Sequence, residues 1–440
     1  MTSKRIVLTT FGSYGDIHPY MAIATELRQR GYQPVIATSE LYREKMETAR
    51  LDFVPVSPHI PPPQEQDEEM MEKVMQPRTG AGFLLNEMLF PFLREGYDDL
   101  LRAVAGADLL LTHPISFAGP LVAQKTGMPW VSSVLAPVSF MSAYDPPVPP
   151  FWPWMRHVKL LGPRFVGAFF RQVKKAYKNK AYDQFRSELG LPDRGMPVFE
   201  GQHSPTLILA LFSKLFAQPQ PDWPAQAQVT GFAFYDGRNE LAMPQELIEF
   251  LDAGAPPIVF TLGSSAVWVA RDFYRESIAA AKMLGRRAVL LIGDERNQPD
   301  ESLPPEIIAV NYAPFEALLA RASAMVHHGG VGTTSQGLRA GIPTLIVPFA
   351  FDQPDNAAHA ERLGGSRTLP RAKYLAARVA RELDILLSQP EHANKAHEIG
   401  AQLRLENGAA VASDLIEQVL QNGSGVSSLS PEEPVYAACN

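Results

Sequence analysis

Residues 325–341 read MVHHGGVGTTSQGLRAG: an apolar run ending in two histidines, three glycines within four residues, then two threonines opening a helical pattern. Glycines let backbone N–H groups approach an anion closely, a helix start adds partial positive charge, and hydroxyls donate further hydrogen bonds. Gly330, Gly332, Thr333 and Thr334 are therefore read as a phosphate cradle, with His328 as a further donor toward a diphosphate. Residues 260–265 (FTLGSS) end another apolar run in a glycine and two serines, which makes Ser264 and Ser265 candidate donors to the same phosphates. Neither turn continues into the Gly-Lys-Ser/Thr of a Walker loop. Residues 11–16 (FGSYGD) lack the spacing of the dinucleotide fingerprint, which removes the main support for nicotinamide chemistry.

The elements that must hold these turns follow from apolar periodicity. Strands are expected at 5–12, 34–38, 53–56, 107–112 and 130–136, with helices at 18–30, 40–50 and 117–126 between them. A second series of strands is expected at 257–263, 288–293, 307–312, 324–328 and 344–347. Val-, Ile- and Leu-rich strands alternating with helices indicate parallel sheets covered on both faces. The expected α/β architecture is two doubly wound Rossmann-like domains facing a central cleft. The Pro- and Gln-rich stretch from 218 marks the boundary. The division is then 1–217, a linker at 218–240, a second domain at 241–422 whose last helix packs back on the first, and a disordered tail at 423–440.

Composition bounds the function. A length of 440 residues fits two cores, and a net charge of −7 argues against general nucleic-acid binding. The single cysteine, Cys439, forms no intramolecular disulfide, the N-terminus does not read as a signal peptide, and no apolar run spans a bilayer. The expectation is a cytoplasmic chain. Residues 151–182 hold eight Lys or Arg and no acid, interleaved with aromatics. They fit either a solvated helix pair capping a pocket or peripheral contact with an anionic membrane. Apolar residues at 83–92 and 151–170, with Phe83, Met88, Phe140 and Phe151 as candidates, fit either a pocket for a hydrophobic acceptor or packing under long loops.

The run 311–356 (NYAPFEALLARASAMVHHGGVGTTSQGLRAGIPTLIVPFAFDQPDN) resembles the donor-binding signature of family 1 glycosyltransferases, nearest the bacterial antibiotic, rhamnolipid and sterol branch. Residues 12–39 resemble the opening of the same enzymes, which makes Gly12 and Ser13 further donor-binding candidates. The resemblance implies a GT-B fold and an inverting, metal-independent transfer that needs no cofactor. The hexose would pass from a UDP-sugar, or a dTDP-sugar, to a hydroxyl of a lipid, sterol, polyketide or flavonoid. It implies that Tyr312 and Ala313 read the base, that His328, Gly330 and Thr333 surround the diphosphate, and that Asp352 and Gln353 hold sugar hydroxyls. Gln336 stands where plant relatives carry a ribose-gripping Glu, which leaves the nucleotide open.

Inverting transfer needs a base for the acceptor proton. Asp16, on the loop after the first strand, matches the catalytic position of the resemblance, and it also fits as an N-cap for a helix starting near His18. His113 falls where plant relatives place the Asp that orients their base, so Asp16 and His113 form a dyad in which either takes the proton. His18 is a weaker candidate. Two other classes remain at this level: a sugar-nucleotide epimerase of the same fold, and a non-catalytic helper of a partner enzyme.

Overall fold

The computed structural model describes residues 3–61, 68–150, 153–193, 195–237, 242–299 and 302–422. Among them, thirteen strands form two all-parallel sheets. The first sheet comprises β1 (Arg5–Thr9), β2 (Gln33–Thr38), β3 (Asp52–Pro55), β4 (Leu109–Thr112), β5 (Trp130–Val134), β6 (Leu207–Ala210) and β7 (Ala227–Val229), in the order 3-2-1-4-5-6-7. The second comprises β8 (Ile258–Thr261), β9 (Ala288–Leu291), β10 (Ile307–Val310), β11 (Ala324–His327), β12 (Thr344–Ile346) and β13 (Ser366–Thr368), in the order 10-9-8-11-12-13. Runs such as Leu109–Thr112 and Ile258–Thr261 are buried along their whole length, as strands covered on both faces must be. The expected α/β class and two-sheet organisation are present.

In each sheet the strand order reverses beside the first strand, and ligands bind outside the carboxyl ends at such a point. In the first sheet the reversal lies between β1 and β4, where Thr9 pairs with Thr112. In the second it lies between β8 and β11, where Thr261 pairs with His327.

Some expected boundaries move. Helix α1 (Tyr14–Gln29) starts four residues ahead of His18, so Asp16 sits in its first turn and not on a loop. The cause is local: Ser13 takes the N-cap, and its backbone N–H donates to Asp16 Oδ2 at 2.8 Å, one half of a capping box. Strands β6, β7 and β13 were not among the expected elements, although Leu207–Ala210 of β6 is apolar throughout. The stretch expected as a linker from 218 supplies β7, whose Ala-Gln-Val carries little strand signal and pairs only because β6 is beside it. The expected tail at 423–440 lies outside the described residues.

The two halves exchange pieces. The last helix, α6 (Gly408–Asn422), buries Ala412, Ile416 and Val419 against Ile17, Tyr20 and Met21 of α1. In the other direction, a segment of the first half containing α2 (Glu68–Val74) crosses to the second. Met75 is buried in the second half's core with Phe260, Val267 and Phe273, and Glu72 pairs with Arg271 at 2.7 Å. A third tie joins the loop before residue 150 to α5 (Gln353–Arg362): Val148 N–H donates to Asp355 Oδ1 at 3.0 Å, and Arg362 pairs with Asp145 at 2.9 Å.

Candidate active site

Asp16 and His113 meet at the first reversal point. His113 follows β4, and its N–H donates to Thr9 O at 3.0 Å. Its Nδ1 accepts the N–H of Ile115 at 3.2 Å, so a neutral ring carries its proton on Nε2. Nε2 lies 3.3 Å from Asp16 Oδ1, within contact, but no hydrogen bond joins them and Nε2 has no other partner. Asp16 Oδ2 also receives the Ser13 hydroxyl at 3.2 Å. Gly12 has φ of +129°, and a Cβ there would collide with Asp16 Oδ2. Glycine at 12 and serine at 13 thus fix where the carboxylate lies.

The phosphate-type turn forms at the second reversal point. Gly330 is the N-cap of α4 (Val331–Ala340), so the amides of Val331, Gly332 and Thr333 open the helix without intrahelical partners. His328 is buried and its Nδ1 has no hydrogen-bond partner. Burial pulls its pKa down to about 4, which keeps the ring neutral. It fits between two glycines: a Cβ on Gly263 would lie 2.5 Å from its Cε1, and one on Gly330 would meet Nε2 closer still. A Cβ on Gly332 would lie 3.4 Å from the Cα of Gly15, so the start of α4 faces the start of α1 across the cleft.

A cleft of about 460 Å³ runs from these helix starts along the second half. Ser264, Tyr312, Ala313, Gly332 and Thr333 line it, while Ser265 does not. Thr334 is turned into the core with its hydroxyl unpartnered, because adjacent helical residues point about 100° apart. Ser335 and Gln336, one turn along α4, line the cleft instead. Gln336 Oε1 accepts from Arg339 at 2.9 Å, and Arg339 also pairs with Asp236. Trp268, Tyr235 and His18 line it too, and none was expected there as a donor contact. The signal for His18 was present: it lies four residues after Tyr14, and their rings stack at 5.3 Å.

Asp352 is the residue before α5, and its Oδ2 accepts from Asn356 at 2.7 Å. Burial raises its pKa to about 6, and the nearby Asp16 carboxylate adds to the rise. Gln353 is buried and its Oε1 accepts the N–H groups of Phe349 and Ala350 at 2.8 and 3.0 Å. Its oxygen is committed to that turn, leaving only its amide nitrogen for a sugar.

The expected acceptor residues do not gather. Phe140 is buried and stacks on Trp223 at 4.2 Å, because Phe212 and Trp223 form an aromatic core around it. Phe83 and Met88 are half-buried and line no described cavity, and Phe151 lies outside the described residues. A small cavity of about 40 Å³ does open beside β1, walled by Phe11, Val56, Leu89, Phe92, Ile115 and Phe117.

Residues 6–88 match the family described as glycosyltransferase family 28 N-terminal domain, and 276–417 match the erythromycin biosynthesis protein CIII-like C-terminal domain. The chain is 30% identical over 425 residues to O-mycaminosyltylonolide 6-deoxyallosyltransferase of Streptomyces fradiae, covering 94% of this chain and 97% of that one. It is 29% identical to a sterol 3-beta-glucosyltransferase of Neurospora crassa over 94% of its own length, and spans 27% of that longer protein. In fold it resembles the glycosyltransferase of kitacinnamycin (TM-score 0.70, 22% identity, 96% and 100% of the two chains). It also resembles a spinosyn rhamnosyltransferase complexed with thymidine diphosphate (TM-score 0.63, 18% identity, 94% and 100% of the two chains).

Proposed function

Because this chain belongs to the GT-B glycosyltransferases that include the macrolide and sterol enzymes, we propose that it moves a hexose from a nucleoside diphosphate sugar to a hydroxyl of a hydrophobic acceptor, with inversion. The observation that carries the mechanism is the geometry that sets Asp16 Oδ1 3.3 Å from His113 Nε2 while Nδ1 accepts from Ile115. His113 spends its Nδ1 lone pair on Ile115 and presents N–H to Asp16, so it orients the carboxylate, and Asp16 is the group with lone pairs for a proton. The acceptor O–H proton passes to Asp16 as its oxygen bonds to the anomeric carbon. The bond from that carbon to the diphosphate breaks on the opposite face and its electron pair leaves with the phosphate.

The leaving charge meets the amides of Val331, Gly332 and Thr333, with His328 beneath them. In this reading those donors replace a metal ion, and no cofactor takes part; a chelator then leaves the rate unchanged. Asp352 accepts from sugar hydroxyls, with Gln353 contributing its amide nitrogen. Tyr312 and Ala313 receive the base, and the residues of α4 facing the cleft receive the ribose. Gln336, its oxygen held by Arg339, offers no carboxylate to a 2′-hydroxyl, so both UDP- and dTDP-sugars are proposed as donors.

The test is transfer and donor hydrolysis measured with UDP-glucose and a dTDP-sugar, with and without a panel of hydrophobic alcohols. Acceptor-dependent product of inverted anomeric configuration is expected. Full activity in both Asp16→Asn and His113→Ala would overturn the mechanism. Epimerised donor without any transfer would overturn the function.

A further inference from the structure

Helix α3 (Pro163–Ala176) carries more apolar surface than the fold covers. Val166 and Phe170 are buried against Ala143, Met155 and Val158. Next to them Phe165, Phe169 and Val173, spaced by four, face outward, and Leu160 and Leu161 precede them in the turn before the helix. Leu160, Leu161 and Phe165 are 81%, 59% and 59% exposed. Single apolar residues on a surface are ordinary, but five along one short stretch mark an interaction surface.

Charge identifies the partner. Residues 151–182 hold eight Lys or Arg and no acid, in a chain whose net charge is −7. Arg164, Arg171 and Lys175 are exposed, and at about 100° per residue they form one edge of the outward face of α3 while Phe165, Phe169 and Val173 form the other. Lys174, further round, pairs with Glu200. A protein surface is complemented by a pattern of both signs, whereas an unbroken positive run beside bulky apolar side chains fits a diffuse negative plane. No helix among the described residues is long and apolar enough to cross a membrane, so the contact is one of surface docking.

We propose that α3 and the Leu160-Leu161 turn rest on an anionic lipid bilayer, with the phenylalanines in the acyl boundary and the basic edge on the headgroups. This surface is separate from the Asp16 site and stands without the acceptor assignment; where the acceptor is membrane-soluble, it sets the transferase where that acceptor concentrates.

The experiment sediments the full chain with vesicles of phosphatidylcholine alone, or with about 30% phosphatidylglycerol, at low salt and at about 0.5 M salt. Binding to the anionic vesicles at low salt is expected, weakened by salt and weak on neutral vesicles. Phe165→Ser with Phe169→Ser, and separately Arg164→Gln with Arg171→Gln and Lys175→Gln, each lower that binding by at least about ten-fold. Donor hydrolysis and melting temperature stay unchanged, which reports an intact fold. Absence of wild-type binding to anionic vesicles, or full binding by both variants, overturns the proposal. So does a wild-type dimer that the phenylalanine variant converts to monomer, since the stripe would then be an interface between copies.

Discussion

Substituting Asp16 by Asn separates the carboxylate's proton chemistry from its structural duty. Asp16 accepts from Ser13 on one oxygen and faces the N–H of His113 with the other. Asparagine keeps one oxygen and replaces the other with an NH2 group, so a donor must face a donor on one side. His113 has no escape by changing tautomer, because Nδ1 already accepts from Ile115. With the oxygen kept toward Ser13 its bonds survive, and the cost is that of setting NH2 against the unpaired N–H of His113, at most about 1–2 kcal/mol of stability. Loss of the base costs more: about 10²–10⁴ in rate, or about 3–5.5 kcal/mol in the barrier. The chemical effect exceeds the structural one, and the assay distinguishes them. Transfer is measured at saturating donor and acceptor, beside thermal melting with and without nucleotide. Asp16→Asn is expected to lose kcat by at least a hundred-fold, to melt a few degrees lower, and to bind nucleotide normally. Ser13→Ala, which removes one donor to the same oxygen but keeps the base, should lose less than about ten-fold in rate. An Asp16→Asn enzyme that keeps more than about a tenth of kcat would refute the reasoning, since the loss would then match the structural cost alone.

Other perturbations probe the second half and its ties. Gly330 has ordinary backbone angles, so Gly330→Ala adds only a collision with His328; it should raise donor KM about ten-fold or more and cost about 1–3 kcal/mol in stability, read by kinetics and melting. Gln336→Glu supplies the missing carboxylate and should shift the kcat/KM ratio toward UDP- over dTDP-sugar by about five-fold or more, measured by direct competition. Asp355 is buried and its pKa is raised to about 7, mainly by that burial and further by Asp145, so the folded state favours its protonated form. That stability is complete below about pH 4 and disappears as pH rises through 7. Asp355→Asn, which mimics the protonated form, should match the wild type at or below about pH 4 and exceed it by about 2–4 kcal/mol at pH 8, read by chemical denaturation. Asp352, raised to about 6 mainly by burial, should give a donor KM that climbs as pH falls below that value, because a protonated carboxyl is the weaker acceptor for sugar hydroxyls.

The sheets were readable because runs such as LLLT and IVFT are apolar throughout and bounded by turn residues. The glycine-rich turn was readable as a strand-to-helix junction because glycines and threonines fall there. Short edge strands were not: β7 and β13 owe their conformation to the neighbour that pairs with them, and three residues carry no period of their own. Asp16 was placed beside the right strand, but the start of α1 was missed because Pro19 reads as a helix start when it lies inside the second turn. The pairing of Asp16 with His113 joins residues almost a hundred positions apart and came from the resemblance, and only the β1–β4 pairing brings them together. Phe140 was read toward a pocket and lies in a core. Composition shows that a side chain is apolar, but not whether a core, a cavity or the surrounding medium receives it.

The reciprocal exchange between the halves has a consequence for anyone recombining enzymes of this kind. Joining the first half of this chain to the second half of a relative looks like a single cut near residue 240, but the physical modules are not continuous in sequence. Helix α6 belongs to the first module, since its apolar side completes the packing of α1. Met75 belongs to the second, where it is buried in one core with Val267. A productive hybrid therefore needs four junctions: α6 taken from the same parent as α1, and the segment around Met75 taken from the same parent as residues 266–273. A hybrid made with one cut inherits two mismatched plugs and should fail as a folding unit before its specificity can be measured.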